Sequence, residues 1–166
     1  MSIHREEIDS NRIQGFVLAS SEELVVLQYV YDFNLDGLMT LSRSDISEIR
    51  ETKTDKFQTR LLKHEGLLEN IPFQSQFEVQ SWRSIIKQLS RSYPLLILEC
   101  ERGGKPDFVI GKLLKTTSAA AYVLHFTGIG RWLEEPVRVA YKDITSLQVG
   151  SNYLNVYQRH FERNAL

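Results

Sequence analysis

Asp32, Asn34, Asp36 and Gly37 have the spacing of the first half of an EF-hand loop. Such a loop works because alternate side chains aim oxygens at one hard cation while the glycine allows a sharp turn. Met39 even supplies the usual apolar eighth position. Position twelve, however, is Arg43, a cation where a bidentate carboxylate is needed. The flanking residues have strand composition, not helical spacing, so the run reads as a hairpin loop closed by Asp36-Gly37.

The second candidate combines Arg131 and Trp132 in a loop with Tyr141 and Lys142 at a strand end. Those four could stack on a nucleic-acid base and neutralise a phosphate. The plainer reading, with Trp132 capping a core and the cations solvated, is the stronger. The matching loop in the first half carries Asp32 and Asp36, which repel phosphate. His4, His125 and His160 lie far apart, and His64-Glu65 lacks a second histidine at i+4, where Leu68 stands. That spacing makes no zinc site. Gly128-Ile129-Gly130 is followed by Leu133 where a dinucleotide loop wants glycine. Cys100 is the only cysteine and has no evident base partner; a packed, inert thiol is expected. No cofactor, metal or catalytic residue is expected.

The elements that must hold these residues are mostly strands. β-Branched and aromatic runs at 12–20, 24–31 and 38–43, with a short run at 45–50, read as a first set. Residues 95–101, 108–116, 121–127, 136–141 and 143–149 read as a second, with a turn at 102–106. Thr54 is placed to cap a helix carrying Phe57, Leu61 and Leu62. In 79–93, Trp82, Ile85, Ile86 and Leu89 fall at i, i+3, i+4 and i+7, which predicts an amphipathic helix stopped by Pro94. Tyr153, Tyr157 and Phe161 recur every four residues after Ser151, which favours a helix over 151–162 and leaves a strand open.

These runs repeat. Residues 39–49 and 137–147 both alternate apolar and polar and then reach Asp-Ile-Ser or Asp-Ile-Thr, at an offset of 98. Gly15 pairs with Gly111 at an offset of 96, and Phe57 and Leu61 pair with Tyr153 and Tyr157 at the same offset. The expectation is mainly β with some α: two small barrels, residues 1–66 and 95–166, joined by a linker 67–94 that contains the 79–93 helix.

Gly111-Lys112-Leu113-Leu114, Tyr122 to Phe126, and Val139-Ala140-Tyr141-Lys142-Asp143-Ile144-Thr145 resemble the Sm-like fold, and are most similar to bacterial Sm-like RNA chaperones. Tyr141-Lys142 match the first two residues of their Tyr-Lys-His tripeptide, with Asp143 in the histidine position. Gly15, Val25 to Leu27 and Ile46-Ser47 match in the first half, where Arg43-Ser44-Asp45 replaces the tripeptide. Small SH3-like barrels share most of this pattern. The resemblance implies bent five-stranded barrels whose last two strands leave open edges, along which barrels pair within the chain or between chains.

Lys+Arg is 20 and Asp+Glu 21, so net charge gives no pull towards nucleic acid or anionic membrane. The N-terminus is too polar for a signal peptide, and no apolar run approaches the ~20 residues of a membrane helix. A soluble, cytoplasmic protein is expected. The leading expectation is a non-catalytic binding or assembly protein with a protein partner or self-association through barrel edges. A divergent Sm-like RNA-binding protein is the alternative, and a small enzyme with a site between the halves is the second.

Overall fold

In the computed structural model, which describes residues 1–102 and 107–164, ten strands form one antiparallel sheet. The first set is β1 (Ser2–Arg5), β2 (Asp9–Ser20), β3 (Leu24–Tyr31), β4 (Asn34–Ser42) and β5 (Glu48–Arg50). The second is β6 (Leu96–Cys100), β7 (Asp107–Thr116), β8 (Ala120–His125), β9 (Val137–Ala140) and β10 (Ser146–Val149). Helices α1 (Lys53–His64), α2 (Trp82–Leu89) and α3 (Asn152–Asn164) complete the chain. None of them is long and apolar enough to cross a membrane. The sheet is continuous across both halves and open at β5 and β9.

Its order, β5-β1-β2-β3-β4 followed by β10-β6-β7-β8-β9, places the last strand of each half beside the first. Local hydrogen bonds recur at the sequence offsets. Arg43 N donates to Glu23 O at 2.7 Å and Tyr141 N to Ala119 O at 3.1 Å. Ser21 N donates to Leu24 O at 2.8 Å and Thr117 N to Ala120 O at 2.9 Å. A Cβ on Gly15 would overlap the Gln28 carbonyl oxygen, and one on Gly111 the Leu124 carbonyl oxygen. Each glycine precedes a bulge, between Val17 and Ala19 in β2 and between Leu113 and Lys115 in β7. Glycine there lets the facing strand approach while the bulge bends its own strand.

The halves meet where β4 pairs with β10, with Leu41 opposite Ser146, Thr40 opposite Leu147 and Met39 opposite Gln148. Helix α2 covers this seam. Trp82, Ile85, Ile86 and Leu89 pack against Leu24, Val26 and Leu38 of the first half and Leu96, Leu98, Val123 and Leu147 of the second. At ~1.5–3 kcal/mol for each large apolar side chain taken out of water, this stripe is a major tie between the halves. Ile3, Leu27, Met39 and Leu41 form a smaller cluster in the first half. Helix α3 lies on the other side of the second half, with Leu154 against Leu95, Ile97, Ile110 and Phe126.

Several expectations are corrected. The helix expected over 79–93 is confined to α2, because Ser81 and Ser84 form a capping box and Ser90 ends it. Thr52, not Thr54, caps α1, and Phe57 is half exposed rather than core. The short strands expected at 45–50 and 143–149 are present as β5 and β10 but begin later, because three-ten turns, Arg43–Asp45 and Tyr141–Asp143, precede them. Strand β1 was not expected; its polar residues conceal the buried Ile3. The segment 151–162 is helical, and Ser151 Oγ accepts from Leu154 N at 3.3 Å. From Gly103 to Pro106 the expected turn lies outside the described residues.

Candidate functional site

The two three-ten turns border one open cleft of about 580 Å³ at the seam. Ser42 and Ser44 line it from the first half, and Tyr141, Lys142 and Ile144 from the second. The first turn of α2 supplies Trp82 and Arg83, and the β2–β3 turn supplies Glu22 and Glu23. Arg102 joins the two turns. Its Nε and Nη2 donate to Asp45 Oδ1 and Oδ2 at 2.9 and 2.7 Å, and its Nη1 donates to the Lys142 carbonyl at 2.7 Å. The cleft is also lined by two cations, Arg83 and Lys142, and by two carboxylates, Glu22 and Glu23.

Trp82 is buried, so its ring belongs to the core and not to a stacking platform. Tyr141 packs against the α2 cluster, and its hydroxyl donates to the Thr117 carbonyl at 3.2 Å. Burial pushes this phenol up, so it stays a neutral donor at physiological pH.

The structure splits the four expected binding residues. Tyr141 and Lys142 line the seam cleft. Trp132 sits instead among the aromatics under α3, with ring centroids 5.3 Å from Phe126 and 4.5 Å from Phe161. Adjacent residues of β7 show why this separates them: Val109 packs in the α2 cluster and Ile110 in the α3 cluster, on opposite faces of the sheet. Arg131 is exposed in the β8–β9 loop, where Thr127 N donates to its carbonyl at 2.9 Å.

The EF-hand-like run forms a two-residue hairpin turn. Tyr31 pairs with Asn34, and Asp32 and Phe33 take φ of 45° and 61°. Both values are those of a type I′ turn. The expected hairpin is thus present, but its turn is Asp32-Phe33, and Asp36-Gly37, expected to close the loop, lies within β4. Asp36 is used elsewhere: its Oδ1 accepts from Asn152 N, at the start of α3, at 2.7 Å. The four histidines lie on β1, α1, β8 and α3. Among the described residues no group of three His, Cys, Asp or Glu side chains is placed to hold a metal. Burial, reinforced by Asp107 and Asp143, pushes the Cys100 thiol up to about 11, which suppresses the thiolate.

A second polar cluster, invisible in the sequence, binds the halves together. Arg5 donates bidentately to Glu101, at 2.6 and 3.1 Å, and Thr145 Oγ1 donates to the same carboxylate at 2.5 Å. Ser146 Oγ donates to Glu99. Neither Arg5 nor Arg102 stands out locally, since each partner is distant along the chain; no spacing rule reveals such pairs. Searches of protein-family models, curated proteins and solved structures found no match to this chain.

Proposed function

We propose that the chain is a non-catalytic binding and assembly protein of two tandem Sm-like barrels, 1–66 and 95–166. One observation carries this reading: the same five-strand order occurs twice, and the halves are joined by pairing strand four of one to strand five of the other. That junction is β-strand addition, a recognised mode of protein binding. It leaves another fourth strand, β9, and another fifth strand, β5, at the two ends of the sheet. The polar groups at the seam support a structural role, because Arg5, Glu101, Arg102 and Asp45 are taken up by one another.

A second reading is RNA binding by a divergent Sm-like protein. The cleft favours it, because both three-ten turns open there with Arg83 and Lys142. Glu22 and Glu23 in the same cleft weigh against a phosphate backbone. Fluorescence anisotropy of labelled oligo-A and oligo-U, titrated at low and physiological salt, separates the two. The assembly reading expects no saturable binding. Tight binding that weakens steeply with salt overturns it in favour of RNA.

A further inference from the structure

A groove of about 900 Å³ lies between the β3–β4 hairpin and α3, and it shares no lining residue with the seam cleft. Its chemistry is one-sided. Tyr31 of the hairpin and Tyr153 and Tyr157 of α3 line it with aromatic rings. Asp32 and Asp36 line it with carboxylates, and among the described residues no Lys, Arg or His does. The seam cleft, by contrast, holds both signs of charge. Ring faces and carboxylates both attract a cation.

The hydrogen bonds narrow the choice of cation. Asn34 Nδ2 donates to the Asp32 carbonyl at 2.9 Å, and Asn155 Nδ2 donates to the Gly150 carbonyl at 3.2 Å. Each amide spends a donor on the backbone and keeps its own carbonyl oxygen as an acceptor. Asp32 uses its backbone carbonyl in the turn and leaves its side chain exposed. Asp36 Oδ1 accepts from Asn152 N at 2.7 Å, so the positive end of α3 is already answered and calls for no anion. The groove is thus rich in acceptors and π faces. A guanidinium matches it best, being planar, with five donors and no acceptor, and able to stack on aromatic rings.

The groove also continues. Tyr31 and Asp32 line an adjoining groove of about 530 Å³, where Asp9, Glu99 and Glu101 outnumber Arg5 and Arg12. Arg5 is already committed to Glu101. Together the two make a track acidic on both sides of Tyr31 and larger than one guanidinium fills. From this we infer that the track binds an arginine-containing peptide segment of a partner protein, with one guanidinium on Asp32 and the rings of Tyr31 and Tyr153. This adds a partner class to the binding reading above, at a site independent of the strand junction.

The parts are in place before a ligand arrives. Tyr157 Oη donates to the Gly128 carbonyl at 2.8 Å, and its ring centroid lies 4.7 Å from that of Phe126. Tyr153 meets Tyr157 edge to face at 5.2 Å. A site so fixed loses little side-chain freedom on binding. Tyr31, Tyr153 and Val156 are each about half exposed or more around this one groove, and a peptide laid along it covers them.

The test is fluorescence anisotropy at low salt with a labelled Gly/Ser peptide carrying two arginines, its lysine and citrulline counterparts, and unlabelled arginine amide as competitor. The arginine peptide should bind saturably, the lysine peptide about threefold or more weakly, and the neutral citrulline peptide not at all. Asp32→Asn and Tyr153→Ala should each weaken the arginine peptide about threefold. Asparagine tolerates the left-handed backbone at position 32, and unchanged urea midpoints confirm that both variants fold. Glu69→Gln removes an exposed carboxylate elsewhere and should bind as the wild type does. An equal loss in Glu69→Gln means diffuse attraction and overturns the site. Lysine binding as tightly as arginine overturns the choice of guanidinium, and arginine amide competing as well as the peptide overturns the choice of a peptide. No saturable binding of the arginine peptide overturns the inference outright, and leaves the assembly reading to its own oligonucleotide test.

Discussion

Removing the Glu101 carboxylate should cost far more than one surface ion pair. Arg5 lies on β1, four strands from the seam in sheet order, yet its guanidinium reaches Glu101 just after β6. The sheet must therefore curl, and this contact fastens the curl. The Arg5 side chain is 6% exposed and that of Glu101 18%. Glu101→Ala leaves a buried guanidinium with no counter-charge, and Thr145 Oγ1 loses an acceptor. Breaking a buried pair from one side costs ~3–5 kcal/mol, most of it the uncompensated charge. Arg5→Ala exposes the mirror problem at Glu101, softened because Thr145 still donates to that carboxylate. The double variant Arg5→Ala, Glu101→Ala removes both charges. It should be less destabilised than the sum of the singles by ~2–3 kcal/mol. Urea denaturation followed by tryptophan fluorescence measures all four corners of this cycle. A coupling energy below ~0.5 kcal/mol would refute the reasoning, since groups this close and this buried must interact.

Two further predictions concern the ends of the first half. Asp55, buried in the capping box of α1, accepts from Thr52 N and Oγ1 at 2.7 Å each, from Ser2 Oγ at 2.9 Å and from Gln14 Nε2 at 3.2 Å. Burial pushes its carboxyl up, but the bonds from Thr52 and Ser2 outweigh this and hold it below the usual carboxylate range. A depressed carboxylate stabilises the fold above its unfolded pKa and loses that stability as pH falls through its folded value. Asp55→Ala should cost ~2–3 kcal/mol at neutral pH, and acid urea melts should show this difference shrinking. At the hairpin tip, Phe33 is half exposed at φ 61°. Phe33→Gly should raise stability by ~0.5–1 kcal/mol, because a left-handed backbone is strained for a bulky residue and free for glycine. A lower melting temperature in calorimetry would contradict it.

The sequence was most legible where the rule is local. Alternation located the strands, and the stripe from Trp82 to Leu89 located α2. The two offsets coincide with recurring hydrogen bonds, Arg43 to Glu23 and Tyr141 to Ala119 among them. It was least legible where partners are distant. Nothing near Arg102 announces that it joins Asp45 to Lys142, and nothing near Arg5 announces Glu101. The expected grouping of Trp132 with Tyr141 failed for a related reason. Sequence spacing put both near strand β9, but it could not say which face of a curled sheet each would occupy.

The halves repeat in topology without being equivalent in support. The second half has α2 on one face and α3 on the other, with clusters beneath both. The first has a smaller cluster around Ile3, Leu27, Met39 and Leu41, and it shares α2 through Leu24, Val26 and Leu38. Its β4 edge is paired and Arg5 is tied across the seam, so much of what orders the first half comes from the second. That dependence argues that strand-four-to-strand-five pairing is structural within the chain, where a helix and buried ions reinforce it.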